Sequence, residues 1–419
     1  MTAQPKLLVL GAGRHQAPLI RRAEARGIAV VASDYHADAA GKQDASFPAD
    51  VDALDVEANV ALGRRHGVSG VVTTGTDMAV VTMAEVAVAL DLPCYLTPEA
   101  ALVATNKVYM ADAFARHDVL RPPSYQVSDP RWLGSDAHLR FPLVVKPADS
   151  QGQRGTSRVD GPDTLADAIA DALRWSRRGR AVVDEFVPGY EVTVSAWVVD
   201  GEPHILAVTD RVTYNPPPSI GIAFQHVFPS LHATGLLAAI TRQVAGVTSA
   251  YGMKEGPLYI QMLLSDDQVL VVEAGARVGG GHEASLIPLV TGVDVTDRVI
   301  DLALLGTAEP VGFRYDDTEP QAHALVNFLL AGAGRVSSCS GFDPLLAAGA
   351  IEEGDYYVSP GHVHQGVFNS LGRVGYFVSA ASTRERLMTG SRAAYGALHL
   401  LDEQGDEMLF WPDSALLNG

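Results

Sequence analysis

The chain has 419 residues, of which 47% are apolar, 19% charged and 7% aromatic. That length exceeds what one hydrophobic core organises, and that composition excludes a disordered or fibrous chain, so two or three packed units are expected. Forty-nine acidic against 31 basic side chains leave a formal charge of −18, which repels nucleic acid and anionic lipid over most of the surface, so any anionic ligand must be held by a local group of cations.

In chain order, the first hundred residues alternate short β-branched runs with helical patterns. Leu7 to Leu10 reads as a strand, Gln16 to Arg26 as a helix and Ile28 to Ser33 as a second strand, the opening of a βαβ unit. Val71 to Thr74 reads as a further buried parallel strand and Met78 to Leu90 as its helix, before Pro93 breaks the pattern. Gly11-Ala12-Gly13 between strand and helix, with Asp34 at the end of the next strand, mimics a dinucleotide fingerprint. Gln16 stands where the third glycine would be, so the segment reads as a tight βα turn rather than a dinucleotide site.

From about Asn106 the pattern changes to helix, strand, polar glycine loop and helix, then strands with antiparallel-style alternation, which indicates an α+β unit. Phe141-Pro142-Leu143-Val144-Val145-Lys146-Pro147 is a buried strand ending in a lysine. Only five of the 31 basic side chains are lysines, and Lys107 precedes an amphipathic helix carrying Met110, Phe114 and Val119. Asp149 to Thr156 is a polar loop whose glycines let backbone N–H groups approach an anion. Val192 to Val199 alternates as a strand, and Asp200-Gly201 supplies a hairpin turn into His204 to Val208. Pro216, Pro217 and Pro218 are expected on an exposed loop. Leu258 to Met262 and Val269 to Glu273 read as strands joined at Asp266-Asp267, which puts Gln261 opposite Glu273. A carboxylate beside an amide oxygen is the kind of hard donor set that Mg2+ accepts.

Beyond about Thr307, Val363 to Asn369 and Arg373 to Ser379 read as strands and Thr383 to Leu398 as a helix. His362 and His364 share one strand face, which reads as ordinary polarity rather than a metal site without a third ligand. Cys94 and Cys339 offer neither a disulfide framework nor metal-ligand spacing. MTAQPKLLVL leads into a glycine turn, and no stretch reaches the roughly 18 apolar residues of a membrane span. A cytoplasmic protein is expected.

In this order, over some two hundred residues, these motifs resemble the ATP-grasp superfamily of carboxylate-amine ligases, in the branch of L-amino acid ligases, carbamoyl-phosphate synthase and biotin carboxylase. The resemblance implies a mixed α/β and α+β architecture: a Rossmann-like domain before the grasp over 1–104, a two-subdomain ATP-grasp fold over 105–306, and a small β-rich α+β domain over 307–419. It implies ATP and Mg2+ as cofactors, with Mn2+ as a substitute, and small-molecule carboxylate and amine substrates. Nucleic acid and membrane are not expected partners, and similar proteins are commonly homodimers.

Residue by residue, the resemblance implies that Lys107 and Lys146 contact the phosphates, Lys146 also reaching the adenine edge. Ser150, Gly152, Gly155 and Thr156 belong to a mobile lid, with Arg154 as its charged residue. Asp184, Glu185 and Val187 match the adenine hinge, Glu191 the ribose acid, Gln261 and Glu273 the magnesium ligands, and Arg277 the arginine of the transferring phosphoryl group. Arg211, His226, His282 and Glu283 are candidates for reading the substrate, the two histidines reading equally as hydrogen-bonded rim residues. One departure stands out: Gly275 occupies a position where the family commonly has asparagine. The activity so implied is amide formation, of a dipeptide or another amino-acid derivative, through an acylphosphate. A ligase of another acceptor class, a nucleotide-binding module without turnover and a dinucleotide oxidoreductase are the competing readings.

Overall fold

The computed structural model describes residues 4–132, 139–265, 268–308, 312–316, 320 and 322–417. Its first sheet has four parallel strands in the order Phe47–Ala49, Ala29–Ser33, Lys6–Leu10 and Gly70–Val72. The central strand is apolar from Leu7 to Leu10 and buried throughout, because helices cover both faces of such a sheet and leave no polar side. The last strand ends at Val72 and its helix begins at Val80 rather than Met78, which leaves residues 73–79 as a loop above the sheet.

A second, antiparallel sheet runs in the order Ser124–Val127, Ala181–Glu185, Leu143–Pro147 and Ser157–Val159. The helix Leu165–Trp175 covers it with Leu165, Ile169 and Ala172, positions spaced to fall on one helical face.

The third sheet has eight antiparallel strands: Val269–Gly275, Gly256–Leu264, Tyr190–Val199, Glu202–Tyr214, Ile222–Phe228, His323–Leu329, Gly375–Ala381 and Glu353–Tyr356. Three of them come from beyond residue 306, so the carboxy-terminal segment completes this sheet. It also builds a three-stranded sheet from Val363–His364, Gly334–Ser340 and His399–Asp402. At the first hairpin Asp200 and Gly201 both have positive φ, 51° and 86°, as a two-residue turn matching strand twist requires. The next hairpin pairs Gln261 with Glu273; the turn expected at Asp266 and Asp267 lies outside the described residues. The strand expected over Val363 to Asn369 is corrected to Val363–His364. Gly366, at φ 97°, turns the chain out of the sheet, and Ser370–Gly372 forms a 3-10 turn.

One hydrophobic cluster joins the parallel sheet to the eight-stranded one, with Leu8, Met83, Trp197, Ile260, Ile287 and Phe328 among its members. Close backbone packing seals the join: a Cβ on Gly70 would lie 2.4 Å from the Ala303 carbonyl oxygen of the helix Val295–Leu305. Among the described residues, no helix is long and apolar enough to cross a membrane. Gly70→Ala should force that helix outward and lower stability by about 1–3 kcal/mol, the usual cost of overpacking. An unchanged urea midpoint would show that the contact does not bear on folding.

Candidate functional site

A cavity of about 1030 Å³ lies where the small antiparallel sheet faces the eight-stranded one. Lys146, Asp184 and Glu185 line it from the small sheet, Val187 from the segment that follows, and Glu191, Gln261 and Glu273 from the eight-stranded sheet. Lys107 enters from the start of the helix Lys107–Arg116, and Ser150, Gly152, Arg154 and Thr156 from the glycine loop. Gly155 faces away from the cavity lining, against Trp175: a Cβ there would lie 2.5 Å from the indole Cδ1.

The two lysines are buried, and a desolvated ammonium needs an anion beside it. Lys107 Nζ lies 2.7 Å from Glu273 Oε1 and donates to the Ser150 carbonyl at 3.0 Å. Lys146 Nζ lies 2.7 Å from Asp184 Oδ2 on the neighbouring strand. Burial alone would raise the Glu273 carboxyl, but Lys107, followed by Lys146 and Arg277, outweighs it and holds the group below the ordinary carboxylate value. Glu273 is therefore an ionised oxygen donor. Gln261 directs its Nε2 donor to Glu191 Oε2 at 2.6 Å, which leaves its amide oxygen as the second hard donor. This pair fits a divalent cation of the Mg2+ kind.

At the hinge, the Glu185 N–H donates to the Pro123 carbonyl and the Phe186 N–H to the Pro142 carbonyl. Glu185 therefore has only its carbonyl to offer a ligand edge, while the neighbouring Val187 N–H makes no hydrogen bond among the described residues. Arg211, expected near the substrate, is committed elsewhere. Its Nη1 donates to Glu191 Oε2 at 2.5 Å and its Nη2 to the Gly221 carbonyl at 2.8 Å, so it braces the wall of this cavity.

The glycine loop is fastened from two sides. Gln151 donates to Thr76 Oγ1 at 2.8 Å and accepts the Asp77 N–H at 2.8 Å. On the other side the Ser370 N–H donates to the Gly152 carbonyl at 3.0 Å, and the Ser370 hydroxyl bonds Gln153 Oε1. Positive φ at Gly152, Gln153 and Gly155 lets the loop fold back between these anchors.

Arg277 forms a two-pronged pair with Asp77, Nε to Oδ1 and Nη2 to Oδ2, both at 2.8 Å. Burial would lower this arginine, but Asp77 outweighs it and its pKa is raised. The same pair accounts for Gly275. A Cβ at that position would lie 2.9 Å from Asp77 Oδ1 and 3.3 Å from Arg277 Cζ, so a larger residue would make these side chains shift. Sequence reasoning missed Asp77, because its partner stands 200 residues away and Gly75-Thr76-Asp77 carries no motif. It also missed Tyr357 and Tyr376, which contact His282, and Arg14 and Arg373, which lie over the Tyr357 and Phe328 rings.

His226, His282 and Glu283 lie off the main cavity. Burial drives both histidines well below their ordinary pKa, aided at His226 by Arg211 and at His282 by His15 and Arg373. Burial raises the Glu283 carboxyl, whose Oε2 accepts the Gly281 N–H at 2.6 Å while Oε1 has no partner. His15 is pushed down to about 3, chiefly by burial and then by Arg373, Arg14 and Arg277. At the first βα turn, Asp34 Oδ2 accepts the Ala12 N–H at 2.9 Å and Gln16 Nε2 donates to the Thr74 carbonyl. The acid of the apparent dinucleotide fingerprint thus closes its own turn.

A pH dependence follows from His15. Above its ordinary value of 6.5 the folded and unfolded forms are both neutral there. Below it the unfolded chain binds a proton that the folded chain refuses down to about pH 3, so stability falls on acidification, by at most about 1.4 kcal/mol per pH unit. Urea midpoints between pH 7 and 4 should fall less steeply for His15→Asn than for the unaltered chain; equal slopes would remove His15 from the balance.

Residues 139–285 match the family described as an ATP-grasp domain. A formate-dependent phosphoribosylglycinamide formyltransferase of Parasynechococcus marenigrum (strain WH8102) is 32% identical over 193 residues, 45% of this chain and 49% of that protein. The chain spans about half the length of the curated relatives it matches at this level. Among solved structures, an L-amino acid ligase from Bacillus licheniformis has a TM-score of 0.79 at 20% identity, covering 96% of this chain and 100% of that one. A phosphoribosylglycinamide synthetase from Anaerococcus prevotii has a TM-score of 0.73 at 19% identity, with the same coverage. Similarity at this level of identity concerns the fold.

Proposed function

Because residues 139–285 form an ATP-grasp domain, we propose that this chain is an ADP-forming ligase that activates a small-molecule carboxylate with ATP and passes the acyl group to an amine. The observation that carries this reading is the convergence of Lys107, Lys146, the glycine loop and the Gln261–Glu273 pair on one cavity in a chain of charge −18. Three basic groups, Lys107, Lys146 and Arg154, gathered in one cavity beside carboxylates that a divalent cation can engage suit a phosphate-bearing ligand bound with its metal.

In this reading the triphosphate lies between the two lysines and the loop amides. The purine edge meets the Glu185 carbonyl and the Val187 N–H, and Glu191 receives the ribose hydroxyls. Gln261 and Glu273 would hold Mg2+, which supplies positive charge against the phosphates. Incoming phosphate oxygens take over Lys107 and Lys146 from their carboxylate partners. A substrate carboxylate oxygen then attacks the γ-phosphorus, the bond from that phosphorus to the β-bridging oxygen breaks, and ADP leaves with the electron pair. Next the amine nitrogen attacks the acyl carbon of the acylphosphate, the carbon–oxygen bond to phosphate breaks, and inorganic phosphate leaves as the nitrogen gives up a proton. Such chemistry depends on positioning and charge rather than on covalent help from the protein. The fastened loop has the role of keeping water from the acylphosphate.

Two acceptor classes are in play. An amino-acid acceptor, giving a dipeptide or related amide, is supported by the fold shared with the Bacillus licheniformis ligase. A purine-pathway acceptor is supported by the formyltransferase relatives. ADP release measured with amino-acid pairs, with formate plus phosphoribosylglycinamide, and with bicarbonate separates them. No substrate-dependent release with any of these would leave a binding module without turnover.

Lys146→Ala should raise the dissociation constant for MgATP by about 10- to 100-fold, the worth of a charge-assisted contact, and unchanged affinity in titration calorimetry would remove it from the phosphate site. Glu273→Ala should abolish Mg2+-dependent phosphate release and, because it leaves buried Lys107 without its carboxylate, also lower the melting temperature of the apo protein. Retained turnover would overturn the metal assignment.

A further inference from the structure

Outside the nucleotide cavity, positive charge gathers on the loop that follows the helix Leu165–Trp175. Arg174, Arg177, Arg178 and Arg180 stand within seven residues that contain no acid, in a chain of charge −18. Arg174 pairs with Asp171 on its own helix. Arg177, Arg178 and Arg180 are exposed, and their guanidinium groups make no ion pair or hydrogen bond among the described residues. Lys107, Lys146, Arg211 and Arg277, by contrast, each lie beside a carboxylate.

This loop is built against the cavity. Asp149 accepts the backbone N–H groups of Arg177 and Arg178, both at 3.1 Å, and the Arg180 carbonyl accepts the Ala148 N–H at 3.0 Å. Ala148 and Asp149 lead directly into Ser150, so the arginines stand at the base of the glycine loop. Trp175 touches the same loop: Gly155 packs on its ring, and the Arg154 guanidinium lies over it at 5.8 Å. Arg177 also lines a small cavity of about 320 Å³ whose walls include Lys107, Ser150, Gln151 and Glu273, four residues that face the main cavity too. Arg154, in the main cavity itself, donates from Nε to the Gln151 carbonyl at 3.2 Å and has no carboxylate partner among the described residues. Burial lowers its pKa, and the charge of Arg177 lowers it further.

A strongly acidic protein repels a nucleotide anion as it approaches, and at physiological salt each charge acts over only about 8 Å. Cations close to the cavity are therefore the ones able to offset that repulsion. We propose that Arg177, Arg178 and Arg180 form an electrostatic funnel that draws the nucleoside triphosphate toward the cavity, setting the rate at which it arrives rather than how tightly it is held. This rests on the ligase reading, which supplies the triphosphate. Solvated guanidinium groups add little to affinity, but a local potential of their sign raises the association rate of an anion, and salt removes the effect.

The test is stopped-flow association of a fluorescent ATP analogue in the presence of Mg2+, with the full chain and the triple variant Arg177→Gln, Arg178→Gln, Arg180→Gln. Because the loop is held through backbone groups and Asp149, these substitutions leave its hydrogen bonds in place. A control variant, Arg64→Gln, Arg65→Gln, Arg386→Gln, changes the net charge equally on the helices Val56–His66 and Arg384–Gly396, which do not line the cavity. At low salt the loop variant should associate about three- to tenfold more slowly, with dissociation unchanged, while the control keeps the original rate. At about 1 M salt, where the screening length is about 3 Å, the difference should vanish. Equal association rates for the loop variant and the unaltered chain overturn the proposal. So does equal slowing in the control, which would make the effect one of net charge, and so does a loss carried by faster dissociation, which would make the arginines direct contacts. Calorimetry of MgATP with the unaltered chain separates the two failures: absence of binding sinks the nucleotide reading, whereas binding with equal rates sinks the funnel alone.

Discussion

A lysine that leaves water must find an anion, and Lys107 and Lys146 find theirs in Glu273 and Asp184. Buried ion pairs of this kind contribute little net stability, because desolvation cancels most of the attraction. What they provide is readiness. Each ammonium is fixed in place, and each partner is a group that a phosphate or a cation can relieve. The order of strands serves this end: the edge hairpin of the eight-stranded sheet carries Glu273 beside Gln261, and the facing sheet carries Lys146 beside Asp184.

The same logic repeats around the cavity. Glu191 is shared by Arg211 and Gln261, and Arg277 is held by Asp77 from the first third of the chain. That last contact fixes a residue of the large sheet to a loop of the parallel sheet, so the amino-terminal unit shapes the cleft rather than merely preceding it. A side chain at Gly275 would crowd it.

Much of this could be read in the residues because it depends on local pattern. Strand alternation and a two-residue turn identified the hairpin at Asp200 and Gly201, and the spacing of two strands put Gln261 opposite Glu273. The lysines stood out through their rarity and their places at a strand end and a helix start. Long-range partners were not legible. Nothing in Gly75-Thr76-Asp77 signals an arginine two hundred residues on, and Arg14 meets the Tyr357 ring only once the first turn and the carboxy-terminal segment come together. Val363 to Asn369 has strand-like composition, yet Gly366 bends it away, a backbone event that apolar pattern does not report. Likewise, strands after residue 306 extend a sheet begun at Tyr190 because their edge partner, Ile222–Phe228, offers unpaired backbone groups, a fact of topology rather than sequence.

The loop over the cavity is tied to Thr76 and Asp77 at one end of the chain and to Ser370 at the other. Lifting it would require breaking hydrogen bonds to both segments, so in the ligase reading its opening would depend on the first and the last parts of the chain together. On that reading, a substitution at Thr76 or Ser370 would act on the cavity's occupant without touching it.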